Sequence, residues 1–281
     1  MTSSVFTLAG ETLEVSHYQK HTRYEYGAKL LDLALSKLDI PYQINVITPN
    51  NEMLNEARGD LEVIEGNIDI EWLSTTNDRE TKLIPIKIPI YQGMLGLRLL
   101  MVNKKAHQTV SKLSSLQDFQ KLTGGHGLHW ADLPVYEANG LPVSAHKHYE
   151  SIFKMLELGR IEYFHRGLNE IWGELAGHED TLKIADNIML FYPHPVYFFI
   201  SKKRPELALK LEHGIKLAIE DGSFKKLFEE SMGQYIANGN LSSRQLIVLK
   251  NPNLPPNTPF IETNWWLPKQ FASQLKTAWP L

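Results

Sequence analysis

The residues that could do chemistry are best sorted by the reaction their types and spacing would allow. Among the eleven histidines, His17 with His21, His126 with His129 and His146 with His148 lie at short spacings. The first pair would share a helix face only in a helical stretch. No HExxH run, EF-hand loop or carboxylate triad accompanies any pair, so no metal site is expected. The absence of cysteine removes disulfides, thiol nucleophiles and thiolate ligands. There is no Gly-x-Ser-x-Gly elbow and no phosphate-binding Walker loop, and Gly124-Gly125-His126-Gly127 lacks the spacing of a dinucleotide fingerprint, so no cofactor is expected. What the chain does carry is binding chemistry: hydroxyls at Ser74 and Thr76 ahead of Arg79, an indole and a carboxylate at Trp130 and Asp132, and the pair His165 and Arg166. A guanidinium offers a planar fork that matches a carboxylate. Residue type alone leaves each open to a structural role, with Arg79 paired to Asp78 or Glu80 and Arg166 to Glu162 or Glu170.

Positioning such residues requires a folded scaffold, and 281 residues with 43% hydrophobic and 22% charged side chains supply one of roughly one to two domains. The formal charge of -3 gives no global basic surface, so nucleic acid is not an expected partner. No run approaches the roughly 20 apolar residues of a membrane helix, and no membrane insertion is expected. Thr12 to Ser16 alternates as a strand, and Tyr24 to Leu38 carries leucines at helical spacing. Tyr42 to Ile47 and Ile68 to Leu73 read as strands around a polar helix from Asn51 to Gly59, the alternation of a layered α/β domain. Pro85 and Pro89 precede an apolar run from Gly93 to Val102, long enough to carry the chain into a second domain. There, a helix near Ser115 to Leu122, a glycine-rich turn Gly124 to Gly127, and helices at Val135 to Asn139 and Tyr149 to Leu158 form a second α/β unit. The strand Tyr197 to Ile200 leads back to a helix opened by Pro205. From Leu241, Asn251-Pro252, Pro255-Pro256, Pro259 and Pro268, with Trp265 and Trp266, read as an extended tail.

Six pieces in order resemble the family 3 extracellular solute-binding proteins, which include polar amino-acid receptors of ABC transporters. They are Gly66-Asn67-Ile68-Asp69-Ile70, Ser74-Thr75-Thr76-Asn77-Asp78-Arg79, Pro89-Ile90-Tyr91, Leu113 to Phe119, Leu158-Gly159-Arg160-Ile161-Glu162 and Tyr197 to Lys203. The resemblance spans about residues 11 to 235. It implies an α/β, two-lobed periplasmic binding protein of type II, with two crossing hinge strands and a ligand held between lobes. Lobe 1 is expected from 1–102 and 201–281, and lobe 2 from 103–200. In the resembling proteins the arginine of the second piece binds the ligand α-carboxylate. The resemblance therefore gives that role to Arg79, with Ser74 and Thr76 as hydroxyl donors, Tyr18 as a stacking ring, and Trp72 as either core or cleft. The chain departs from the pattern twice. Trp130 and Asp132 stand where a small-residue loop is usual, and Gly167, preceded by His165 and Arg166, stands where an aspartate meets the ligand ammonium.

Three functions are in view. The first is a monomeric binding protein for a small carboxylated solute, without catalysis, delivering to an ABC-transporter permease or a sensor protein. The second is a periplasmic enzyme like cyclohexadienyl dehydratase, with Glu170 or Asp132 as general acid. The third is a ligand-sensing module of a signalling chain. Residues Met1 to Val5 have none of the features of a secretory leader, so a periplasmic location is implied by the resemblance alone.

Overall fold

Strands and helices alternate along most of the chain in this computed structural model, which describes residues 11–48, 54–128 and 130–259. The elements are β1 (Leu13–His17), α1 (Glu25–Ser36), β2 (Tyr42–Val46), α2 (Glu56–Glu65), β3 (Ile70–Ser74), α3 (Asn77–Lys82) and β4 (Ile84–Ile86). They continue as β5 (Leu97–Asn103), α4 (His107–Val110), α5 (Leu116–Phe119), β6 (Gly124–Gly127), α6 (Leu133–Ala138), β7 (Val143–His146), α7 (Tyr149–Glu157) and β8 (Tyr163–Gly167). Last come α8 (Ile171–Leu175), β9 (Leu182–Ile184), β10 (Ile188–Phe191), β11 (Val196–Ile200), α9 (Pro205–Glu220), α10 (Ser223–Gly239) and β12 (Gln245–Val248). The start of the helix expected from Asn51, residues Met1 to Val5, His129, Trp265, Trp266 and Pro268 lie outside the described residues.

The chain divides into two compact units. The first holds the described residues of 11–73, 78–88 and 197–231, and the second those of 74–77, 89–196 and 232–259. In the first unit β1 pairs in parallel with β2, and β3, β11 and β4 form a sheet in that order. Helix α1 buries Leu30, Leu31, Ala34 and Leu35 on one face, as their spacing demands. It packs against α9 so closely that a Cβ on Gly214 would stand 2.1 Å from the carbonyl oxygen of Ala34. Pro205 opens α9, where its missing N–H has no intrahelical partner to lose.

The second unit is built on a sheet in the order β12-β10-β5-β8-β6-β7, with β9 also paired to β5. Three expectations change here. The glycine-rich stretch Gly124 to Gly127 is a fully buried strand and not a turn. Its glycines leave room for neighbours, since a Cβ on Gly124 would fall 2.6 Å from the Tyr163 ring and one on Gly125 2.5 Å from Ile152. The segment after Leu241 contributes β12, parallel to β10, before its proline-rich continuation. Asn139 holds that segment through Lys250, taking its N–H at 2.9 Å and donating to its carbonyl at 2.8 Å. Finally, β5 and the residues after 231 belong to the second unit, where the expected division put them in lobe 1. The reason is pairing: β5 is bonded to β8, β9 and β10, and β12 to β10. No helix of the described residues is long and apolar enough to cross a membrane.

Candidate functional site

Strand geometry determines what the second unit's sheet presents. Side chains alternate between faces, and in the β5–β8 pairing Arg98 lies opposite Gly167, and Leu100 opposite His165. Arg98 and His165 therefore share a face, and Arg166 with Phe164 points to the other. On the second face the guanidinium of Arg166 lies 4.7 Å from the Trp130 ring centre and 5.3 Å from that of Phe164. It donates to both oxygens of Glu174, at 2.5 and 2.6 Å, and stands 3.1 Å from Glu170. Trp130 can lie against β6 because Gly127 has no side chain; a Cβ there would sit 2.5 Å from the indole.

The first face gathers an unusual density of buried polar groups. Asp132, 8% exposed, sits just ahead of α6 and accepts from the Tyr192 hydroxyl and, at 3.3 Å, from Arg98 Nη2. Its other oxygen stands 3.4 Å from His126 Nε2. Burial alone would raise the Asp132 carboxyl, but the His126 ring and the Arg98 charge outweigh it and hold it well below the ordinary range. The shift favours the carboxylate anion, the form that accepts a proton. His165 is fully buried and stacks on Tyr136 at 4.1 Å. Neither of its ring nitrogens has a hydrogen-bond partner among the described residues. Burial, then the neighbouring His126, pushes its pKa well below the usual value, so it is neutral. Glu170 lies over Gly167, accepting its N–H at 3.2 Å, and its carboxylate fills the space that a side chain at 167 would need. Buried polar groups without partners are costly and rare, which makes this face the candidate site.

The first unit treats its predicted residues differently. Arg79 turns its fork to Asp60, donating at 2.9 Å from Nε and 2.7 Å from Nη2, and lies 3.5 Å from Glu71. A solute carboxylate would have to compete with Asp60 for those donors. Tyr18 is 3% exposed, its ring against Gly59 and its hydroxyl donating to Glu71 at 3.1 Å. Trp72, 1% exposed, packs against Gly27, His17 and Phe198 in the core. It shares a strand face with Ser74, as alternation predicts, but β3 is buried along both faces up to Leu73. Ser74 and Thr76 are half-buried in the second unit, where the intervening Thr75 N–H donates to Pro195 at 2.9 Å.

Of the predicted site residues, the structure thus brings Trp130, Asp132, His165 and Arg166 together on the two faces of one sheet. It places Arg79, Tyr18 and Trp72 in the interior of the first unit. Sequence reasoning passed over Arg98, Tyr136, Tyr192 and Glu174, and weighed His126 only as a metal ligand. Arg98 had a legible signal, a lone charge within the apolar run from Gly93 to Val102, since a buried cation needs a reason to be there. Among the described residues, no three His, Asp or Glu side chains are grouped so as to hold a metal ion.

Two units with this strand arrangement have the type II periplasmic binding protein fold. No family model matches the chain, and no curated protein matches it. Solved structures do. A Salmonella typhimurium periplasmic binding protein of high arginine specificity is similar at 12% identity over 79% of this chain and 99% of that one, with a TM-score of 0.55. An ancestral arginine-binding protein bound to glutamine is similar at 17% identity, over 79% and 98%, with a TM-score of 0.53. An ancestral amino acid-binding protein, a precursor of cyclohexadienyl dehydratase, is similar at 16% identity, over 78% and 95%, with a TM-score of 0.51. At these identities the likeness shows the fold, that of the type II periplasmic binding proteins.

Proposed function

We infer that this chain is a solute-binding protein for a small, polar, carboxylated molecule, working in the periplasm as the receptor of an ABC importer. The observation that carries this reading is the first face of the second unit's sheet, where buried His165 has two ring nitrogens without partners beside the ionised Asp132. Such a face is expensive for the empty protein and matches a ligand that supplies the absent hydrogen bonds. The fold supports the same reading, since the similar structures include proteins named as binders of arginine and of amino acids. Trp130, half-buried, brings its ring centre to 5.2 Å from that of His126 and so adds an aromatic surface next to Asp132, and Ser74 and Thr76 add hydroxyls from the same unit.

A thermal-shift series with carboxylic acids, amino acids and their amides tests the proposal. A ligand that binds only the folded state raises the melting temperature in proportion to RT ln(1 + [L]/Kd). A saturable rise for at least one carboxylated solute, with the solute recovered chemically unchanged, is the expected result. Conversion of the solute would favour an enzyme instead, and a flat response across the series would remove the receptor reading.

A further inference from the structure

Arg98 and Arg166 are buried and Arg79 is partly buried, and the hydrogen bonds of the three differ. Arg79 donates from two nitrogens to both oxygens of Asp60, and Arg166 likewise to both oxygens of Glu174. Arg98 is 7% exposed, yet among the described residues its guanidinium makes one hydrogen bond, the 3.3 Å contact from Nη2 to Asp132. Its Nε is buried without a partner among the described residues, and its Nη1 lies 4.0 Å from Glu170.

The two carboxylates near Arg98 are mainly engaged by other groups. Asp132 is shared with the Tyr192 hydroxyl and faces His126, and Glu170 is nearer to Arg166 and to the Gly167 N–H. The Arg98 guanidinium, held over the Tyr192 ring at 5.1 Å, is thus a fixed cation with donors that no described residue takes up. Burial of a charge without full compensation is unfavourable. A planar anion with two acceptor oxygens fits such an edge by charge and shape.

We propose that Arg98 is the residue that receives the carboxylate of the bound solute, and that Arg79 is a structural residue of the first unit. The proposal rests on the solute-receptor reading and assigns its anion site. The Asp132 contact then orients the guanidinium, and the unpartnered nitrogens of His165, on the same sheet face, are available to the atoms next to that carboxylate.

Isothermal titration of the wild type, Arg98→Gln, Arg98→Lys and Arg79→Gln is the test. The titrants are L-arginine, L-glutamine, succinate and phenylacetate, each run beside its primary carboxamide. Circular dichroism shows which variants fold. Arg98→Gln is expected to weaken a carboxylate that binds the wild type by about 10- to 100-fold and to leave its weaker carboxamide almost unchanged. Arg98→Lys, which keeps the charge and loses the fork, should fall between, and Arg79→Gln should retain carboxylate binding. Because the carboxylate-to-carboxamide ratio is read within one protein, a general loss of stability does not imitate the effect. If Arg98→Gln binds carboxylates as the wild type does, or loses acid and amide equally, Arg98 is only hydrated or structural and the inference fails while the receptor reading stands. A wild type that binds no titrant overturns both.

Discussion

Replacing Glu71 by Gln should make the protein more stable at neutral and alkaline pH. Glu71 is completely buried, and its Oε2 accepts from the Tyr18 hydroxyl at 3.1 Å. The nearby Arg79 fork is turned to Asp60, and its charge, 3.5 Å from Glu71, does not outweigh the burial of that carboxyl and the influence of Asp60. Burial first, then the hydrogen bond and charge of Asp60, raise its carboxyl from 4.5 to about 9. The folded protein therefore keeps a proton through the neutral range that the unfolded chain releases. This contribution is fully present below the unfolded value and is lost as pH rises through the folded one, at about 1.4 kcal/mol per pH unit. At pH 7, two and a half units above 4.5, the loss comes to about 3 kcal/mol. Glutamine has the shape of the protonated acid, with a carbonyl to accept from Tyr18 and an amide to donate toward Asp60, and it does not titrate. Melting curves of both proteins from pH 5 to 8.5 should show a gap in favour of Glu71→Gln that widens with pH. It should reach several degrees, at roughly 2–4 °C per kcal/mol for a protein of this size. Parallel curves, or a variant less stable at every pH, would refute the argument that Glu71 is protonated in the fold.

Three further outcomes follow from packing and hydrogen bonds. Gly214→Ala forces a Cβ to within 2.1 Å of a backbone oxygen of α1, so the helices must part, and urea unfolding should show a loss of about 1–3 kcal/mol; an unchanged midpoint would mean α1 and α9 are farther apart than described. Asn139→Ala strips the partners from both backbone groups of Lys250, at about 1–3 kcal/mol, and should make the segment after β12 an early site of limited proteolysis. A proteolytic pattern like that of the wild type would contradict the docking of that segment. Tyr192→Phe removes the hydroxyl that engages Asp132, costing about 1–2 kcal/mol of stability. It also frees that carboxylate to turn to Arg98, so solute affinity should fall as well; unaltered affinity in titration calorimetry would count against a shared network.

Periodicity made most of the fold legible. The leucines of α1, the Pro205 start of α9 and the apolar β11 read correctly because one-sided burial leaves a repeating pattern. Gly124 to Gly127 did not, because a glycine strand has no side-chain pattern; its identity lies in the bulk of Tyr163, Ile152 and Trp130 around it. The segment near β12 was masked by the prolines that follow it, although its pairing with β10 is made by backbone groups alone. In the candidate site, Trp130, Asp132, His165 and Arg166, named for their departure from the resembling proteins, all lie in the second unit. Which arginine keeps open donors depended on Asp60 and Glu174, partners that spacing does not reveal. Arg79 and Arg166 look alike in sequence to an anion receptor, and each is matched to a carboxylate in its own unit.

The most direct check is mass spectrometry of small molecules released by denaturing natively purified protein, with Trp130→Ala treated in parallel. A carboxylated solute near one equivalent in the wild type, and strongly reduced in a folded Trp130→Ala, is what a receptor built on the second unit's sheet predicts. Equal amounts of that solute in both proteins, or none in the wild type even after incubation with a cell extract of small metabolites, would contradict it.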